Sequence, residues 1–511
     1  MTLLLTVLVA LSTGQDRNWD LRNYHLYTPS ALLSGRLSDD IAVAQLQTWH
    51  NPTADIPFAW MVHAGWPGWL VSLWLAVPAF LAVFFAVRIM DHCWPAQRGR
   101  LRTWMAALTA LTGAAVGPTV GSTFNDAIVA AGALIALWWV IDSQDRRGIW
   151  ARWVPAGLML GLATGLKLTG IIYCGALAAV ALIGGSWRGA PLRVLAVAFG
   201  GVAGGVLTAG PWAWTLWQEH GNPLFPYFNQ LFQSPDALAQ PYNDTKFIPH
   251  GADAWLVLAH LLSGSRRFSE STLADARLLL GLASLLLAVC VVARRHDADP
   301  CTRRPFTILM VFAVVSFGAW TVMYGIYRYL YALEALCSVA IVATVFAHWP
   351  RRWPRYTLVL ALLALVGLTN RPGWGRDHRF TTPMIQVQFP ALPAQAMVIT
   401  STGHPVAHAA AFLPRNVPAI SVANNFMRPE TCTRLQARAE QRIRTHAGPF
   451  FLLRERENQE FDPVADAYRH YGLELTGQCS PVPDSLRSIE LCALQMARQT
   501  PTLCPSSPAD R

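Results

Sequence analysis

"NWDLRNYHLY" (residues 18–27) follows closely on the apolar run "LLLTVLVAL" (residues 3–11). It packs two charges of opposite sign, two tyrosines and a histidine just beyond the first hydrophobic segment of a chain that is otherwise strongly apolar. Of the 511 residues, 53% are hydrophobic and only 14% charged, and mean hydropathy is +0.31. A soluble globular chain carries about 25% charged residues. The composition is that of an integral membrane protein, so the polar group at 18–27 matters according to the side of the membrane on which it emerges.

Runs long enough to cross ~30 Å of hydrocarbon, about 20 apolar residues each, are read at 65–90, 103–121, 127–141, 154–164, 168–184, 194–216, 278–292, 306–325, 329–347 and 356–369. With the N-terminal run they predict about eleven transmembrane helices. The loops "DHCWPAQRGRLR" (91–102), "DSQDRRGIWAR" (142–152), "WRGAPLR" (187–193), "ARRHDADPCTRRP" (293–305) and "PRRWPR" (350–355) all bear Arg. They fall on one face if 154–184 is two spans, as the positive-inside rule requires. The net charge of +10 therefore reports topology, and no nucleic-acid partner is expected. The opposite, extracytoplasmic face receives the loop 12–64, the turn "STFND", the loop 217–276, "GIYRY" and everything after 370. The first run is too short to span and lacks a basic leader region, which favours a start lying upstream over a cleaved signal.

The tail, 371–511, has short apolar runs ("AMVIT", "PFFLL") between polar helix-like stretches ("TRLQARAEQRIRTHA"). It reads as a small extracytoplasmic α/β domain beside a membrane domain 1–370 that carries the outer loops 12–64 and 217–276. Four of the nine cysteines, Cys432, Cys479, Cys492 and Cys504, lie in it. They allow up to two disulfides in three connectivities, with Cys479 and Cys492 the first pair to test. No Walker loop, GxGxxG, HExxH or GxSxG pattern is present, which argues against an ATP-driven pump and a soluble-type hydrolase.

Ionisable residues at or near membrane depth are costly unless paired or wetted, and here they gather on the outer face. Asp20, Tyr24 and His25 follow the first run, and Asp39 and Asp40 come later in that loop. Asn125 and Asp126 sit in "GSTFNDA", Lys167 in "GLKLTG", Arg266, Arg267 and Glu270 in "SGSRRFSE", and Arg328 and Glu334 in "YRYLYALE". A carboxylate can take a proton from an incoming hydroxyl while Arg and Lys hold a departing phosphate. That set suits transfer of a sugar from a lipid phosphate: Asp20 as general base, with Asp39 and Asp40 as a second catalytic carboxylate site; Arg328, Lys167, Arg266 and Arg267 on the donor phosphate; Tyr24, His25, Asn125, Asp126 and Glu270 orienting substrates. Each has a plainer reading. Asp20 and one of Asp39/Asp40 would cap helices, Asn125 and Asp126 would cap the next span, Lys167 would snorkel, and Arg266 and Arg267 would anchor an interfacial helix at 254–264. No cofactor is indicated with certainty; a divalent metal at Asp39 and Asp40 is an open alternative.

The stretch 18–60 resembles the first outer loop of bacterial multispanning glycosyltransferases of the GT-C superfamily. The likeness continues through "GSTFNDA", "GLKLTG", "GPWAWTLWQEHGNPLFPYFNQLFQSP" (210–235) and "YRYLYALE" (327–334), in that order. The resemblance implies a polyprenyl-phosphate-sugar donor, Asp20 as the catalytic acidic position, inversion at the anomeric carbon, and residence in the bacterial inner membrane. It departs from the pattern in its short first span and in lacking an adjacent Asp-Glu pair after it. The acceptor, a glycan, lipid or protein, stays open, as does the sugar. The rival readings are a transporter or lipid flippase, which would place charges near the midplane of two related halves, and a glycan polymerase or ligase, which would rely on Arg and His.

Overall fold

The computed structural model describes residues 1–95, 98–143, 147–294, 300–348, 355–457, 460, 462–497 and 504. Parts of the Arg-bearing loops (96–97, 144–146, 295–299 and 349–354) lie outside the described residues. Among the described residues, five helices are long and apolar enough to cross a membrane: Gly68–Cys93, Trp187–His220, Arg277–Arg294, Arg303–Met323 and Tyr327–His348. Shorter apolar helices include Thr2–Thr13, Leu168–Ile183, Asp253–Leu262 and Tyr356–Gly367. The chain is thus a mostly helical, multi-pass membrane protein, and the five full-length helices do not establish a count of eleven.

Several expected spans are cut short for identifiable reasons. The run 103–121 is helical over Arg100–Leu111 and stops. Beyond it the backbone N–H groups of Ala115 and Val116 donate to the buried Glu334 carboxylate (2.9–3.1 Å), and that of Ala114 donates to Asp275 (2.8 Å). Those carboxylates serve donors that a continuous helix would have satisfied internally. The turn brings Gly113 so close that a Cβ there would lie 2.0 Å from Glu334 Oε1. The region 154–184 forms two helices, Ile149–Leu166 and Ile171–Ile183, parted by a 3₁₀ turn after Lys167.

The chain divides into two compact units. The helical unit comprises 1–16, 72–211 and 244–379. Its core is rich in alanine, with Ala82, Ala86, Ala106, Ala110, Ala130 and Ala133 all fully buried. Small residues let helices approach closely where lipid offers no hydrophobic drive to pack them. At Gly161 a Cβ would meet the Gly201 carbonyl at 2.1 Å. Two short strands, β1 (Gln15–Asp16) and β2 (Arg376–Asp377), pair antiparallel in this unit.

The sheet unit comprises 17–71, 212–243 and 380–511. Its strands β3 (Met397–Ser401), β4 (Ala419–Ala423), β5 (Phe450–Glu455), β6 (Leu473–Val482) and β7 (Ile489–Met496) run in the order β4-β3-β5-β7-β6. The first three are mutually parallel, and β7 is antiparallel to both β5 and β6. Strands β3 and β4 are buried throughout, as parallel strands covered on both faces are. The helix Arg434–Thr445 begins where the Thr433 hydroxyl accepts from Gln436 N–H, and it packs Ala439 and Ile443 into the core. Trp49, Trp212 and Phe225 join that core. Ile41 extends the sheet by a parallel bridge to Ile420. Compactness therefore places 17–71 and 212–243 with the C-terminal residues, where a cut at 370 puts them with the spans. The disulfides are Cys432–Cys504 and Cys479–Cys492, the latter joining opposed residues of β6 and β7.

Candidate active site

In the helical unit, three turns far apart in sequence meet at Asp126, and a fourth joins them through Arg328. This residue opens the helix Asp126–Asp142, where a carboxylate is favoured by the helix dipole. It is 2% exposed. Lys167, at the break between two helices, places Nζ 2.7 Å from Asp126 Oδ1. Arg328, in the 3₁₀ turn Tyr327–Leu330, donates from an Nη to Oδ2 at 3.3 Å, and Glu270 Oε1 stands 3.4 Å from its Nε. The Arg328 guanidinium lies 4.4 Å from the Phe124 ring and 5.3 Å from that of Tyr329, and Lys167 Nζ is 5.4 Å from the Tyr329 ring. Two cations thus share one deeply buried carboxylate and one aromatic face. Asn125 holds the N-cap position of the helix without a side-chain cap bond.

The remaining cations of the expected set are engaged locally. Arg267 donates to Asp253 (2.7 Å) and to the Lys246 and Ile248 carbonyls (2.9 and 2.8 Å), and the exposed Arg266 reaches the Glu270 carbonyl (2.9 Å). Asp253, in turn, is held below the usual carboxylate range by the Arg267 hydrogen bond. Glu334, six residues after Arg328, serves the backbone of 115–116. Sequence reasoning passed over Asp16, which is fully buried and accepts from the Thr123 N–H (2.8 Å) and hydroxyl (2.9 Å), three residues before Asp126.

In the sheet unit, Asp20 precedes a π-helical segment, Leu21–His25. Such segments are rare and are found frequently at functional sites. The first N–H of the segment, that of Leu21, is capped by Asn18 Oδ1 at 2.7 Å, and Asp20 makes no side-chain cap bond. Its half-buried carboxylate accepts instead from the Tyr24 hydroxyl at 3.3 Å. His25, 1% exposed, is held through Nδ1 by Asp55 at 2.7 Å, and the Tyr24 ring lies 4.1 Å from its own. Arg22 on the same segment is buried, and that burial, with the charge of Arg487, brings its guanidinium down to about 10.

Asp40 is placed differently. It accepts from the Tyr27 hydroxyl (2.8 Å), the Ala419 N–H (2.8 Å) and Arg36 (3.1–3.2 Å), with both ion-pair partners buried. Burial pushes its carboxyl above the usual range, against the pull of Arg36 and the two other donors. Asp39 beside it is exposed. A divalent cation at the pair would have to displace Arg36 and Tyr27, so these residues do not fit a metal cradle.

The model of glycosyltransferase family 87 matches residues 52–316, just over half of the chain. The chain belongs to glycosyltransferase family 87. The match includes Asp126, Lys167 and Glu270, while Asp20 and Arg328 lie outside it. Among solved structures, ArnT from Cupriavidus metallidurans in the apo state aligns over 99% of this family 87 chain and 97% of its own, with TM-score 0.54 and 12% identity. The oligosaccharyltransferase of Archaeoglobus fulgidus aligns over 93% and 72%, with TM-score 0.53 and 14% identity. ArnT bound to undecaprenyl phosphate aligns over 71% of this chain and 62% of its own, with TM-score 0.45 and 17% identity. No curated protein matches. The family and the fold together make this a GT-C-type membrane glycosyltransferase.

Proposed function

We propose that the chain moves a glycosyl unit from a polyprenyl-phosphate donor to an acceptor hydroxyl at the extracytoplasmic face of the membrane. The observation that carries the reading is the Asp126–Lys167–Arg328 cluster, in which one buried carboxylate orients two cations and the more exposed Glu270 supplies the second, displaceable countercharge at Arg328. ArnT, whose apo structure shares this fold, has also been solved bound to undecaprenyl phosphate, which gives the class of donor a precedent.

In this reading Asp20 takes the proton from the acceptor hydroxyl as its oxygen bonds to the anomeric carbon. The bond from that carbon to the phosphate oxygen breaks in the same displacement, with inversion. The charge that develops on the phosphate is met by Lys167 and Arg328, which need no reorganisation because Asp126 already holds them. Tyr24 orients Asp20, and Asp55 fixes the orientation of His25. Asp40, saturated by Arg36, Tyr27 and Ala419, is a brace for the sheet unit. Arg266 and Arg267 brace the loop 244–276, which leaves Lys167 and Arg328 for phosphate, with Glu270 the carboxylate that a donor would displace from Arg328.

The test is transfer by the purified chain from a panel of polyprenyl-phosphate sugars set against nucleotide sugars. The proposal expects turnover only with the lipid-linked donors, and Lys167→Met and Arg328→Gln should each lower kcat/KM for the donor by about 10²-fold, the loss of a charged hydrogen bond in the transition state. Turnover with nucleotide sugars instead would refute it.

A further inference from the structure

A cavity of about 280 Å³ lies wholly within the sheet unit and is lined by Trp49, Trp212, Glu219, His220 and Arg438, among others. None of these residues enters the reaction described above. The His220 imidazole is fixed from two directions. Its Nδ1 meets Asp236 at 2.7 Å, and Arg434 grips that carboxylate through two nitrogens at 2.8 and 2.7 Å. Its ring stacks on Phe225 at 4.1 Å with 14° between the planes. The Trp212 indole is fixed too: its Nε1 donates to the Trp49 backbone carbonyl at 2.8 Å.

So much framework around one imidazole leaves its other nitrogen conspicuous. His220 is 4% exposed, and its Nε2 has no hydrogen-bond partner among the described residues. With Nδ1–H given to Asp236, Nε2 of the neutral ring is an acceptor. Glu219 Oε2, a second acceptor, stands 3.8 Å from it. A buried acceptor with nothing to accept costs free energy that a bound donor would return.

We infer that this cavity binds a single neutral glycosyl residue of the acceptor, a sugar ring seated against Trp49 and Trp212 with hydroxyls toward His220 Nε2 and Glu219. The two acceptors call for a ligand with O–H or N–H donors and oppose an anion. Arg438 on the same wall opposes a cation and supplies a donor, so the ligand must both donate and accept while carrying no charge. Hydroxyl groups do both. The volume lies just under the roughly 300 Å³ at which pockets begin to hold drug-sized molecules, which suits one ring. The word acceptor rests on the transfer proposed above; the binding does not.

Binding is therefore measured on the full chain in lipid nanodiscs, in the Asp20→Asn background so that no turnover intervenes, by saturation-transfer difference NMR. The probes are methyl pyranosides of glucose, galactose and mannose and methyl arabinofuranoside. At least one should bind saturably. Glu219→Gln, at a half-exposed position, should weaken it about tenfold, the effect of one hydrogen bond to a charged group. Leu435→Phe, which adds bulk to the cavity wall, should abolish it while thermal unfolding shows the fold intact. No saturable binding by any glycoside would mean a hydrated cavity only and would overturn the inference, as would binding that both variants leave unchanged. Transfer activity with no glycoside binding sinks this inference alone; glycoside binding without transfer from any lipid-linked donor sinks only the function.

Discussion

Replacing Asp126 by Asn should turn a prearranged cation pair into a strained one. The carboxylate lies 2.7 Å from Lys167 and 3.3 Å from Arg328. At an effective dielectric of about 20 those separations correspond to about 6 and about 5 kcal/mol of raw attraction. Burial has already taxed all three groups, so the net loss on removing one partner is nearer 3–5 kcal/mol. The amide keeps the shape and removes the charge, leaving Lys167 and Arg328 facing each other across the same space. Thermal unfolding of the purified chain in nanodiscs should show a clear drop in the midpoint. Inorganic phosphate should restore part of it, because an anion that binds only the folded variant at ten times its Kd returns about 1.4 kcal/mol. Chloride at equal ionic strength should not. A variant that melts like the parent, or one that phosphate and chloride stabilise alike, would refute the claim that Asp126 holds two cations ready for a phosphate.

Other consequences are independent of that cluster. Asp236 feels burial, which raises its pKa, but hydrogen bonds from Arg434 and His220 outweigh it and bring the carboxyl down to about 2. A depressed acid stabilises the fold above its ordinary value of 3.8 and loses that contribution as the pH falls toward 2. Asp236→Asn should therefore lower the melting midpoint near neutral pH and flatten its fall below about pH 4, read from thermal scans across pH; an acid limb as steep as the parent's would contradict this. Gly113→Ala would press a methyl against Glu334, whose carboxylate is pinned by two backbone N–H groups, and should cost about 1–3 kcal/mol in the same unfolding assay. Gly113→Ala combined with Glu334→Asp, which shortens the opposing side chain, should recover part of the loss; no recovery would place the damage elsewhere.

Lys167, Arg328, Asp126 and Glu270 could each be picked out because charge near a membrane must be paired or wetted and each stood against an apolar background, but that these four pair with one another was not legible. The tail's strands were legible in part, since "AMVIT" and "PFFLL" became β3 and β5. What could not be read was the partnership of distant segments. Ile41 bridges Ile420 and Asp40 caps the start of β4 at Ala419, contacts that span 379 residues and carry no local period. Asp16 escaped notice because a two-residue strand has no alternation to reveal it. Paired in sequence, Asp39 and Asp40 suggested joint chemistry, yet the fold buries one and exposes the other. The buried pairs His25–Asp55, His220–Asp236 and His408–Asp484 join residues 16 to 76 positions apart, a spacing that matches no motif.

In the proposed reaction Asp20 is the base that activates the acceptor for attack on a polyprenyl-phosphate sugar. The most direct test of that role is the single-turnover rate of glycosyl transfer from such a donor, parent against Asp20→Asn, with donor affinity measured alongside. The rate should fall about 10²–10⁴-fold, the range for loss of a general base, with donor binding and the melting midpoint unchanged. A variant that transfers at the parental rate while folded and donor-loaded would contradict it.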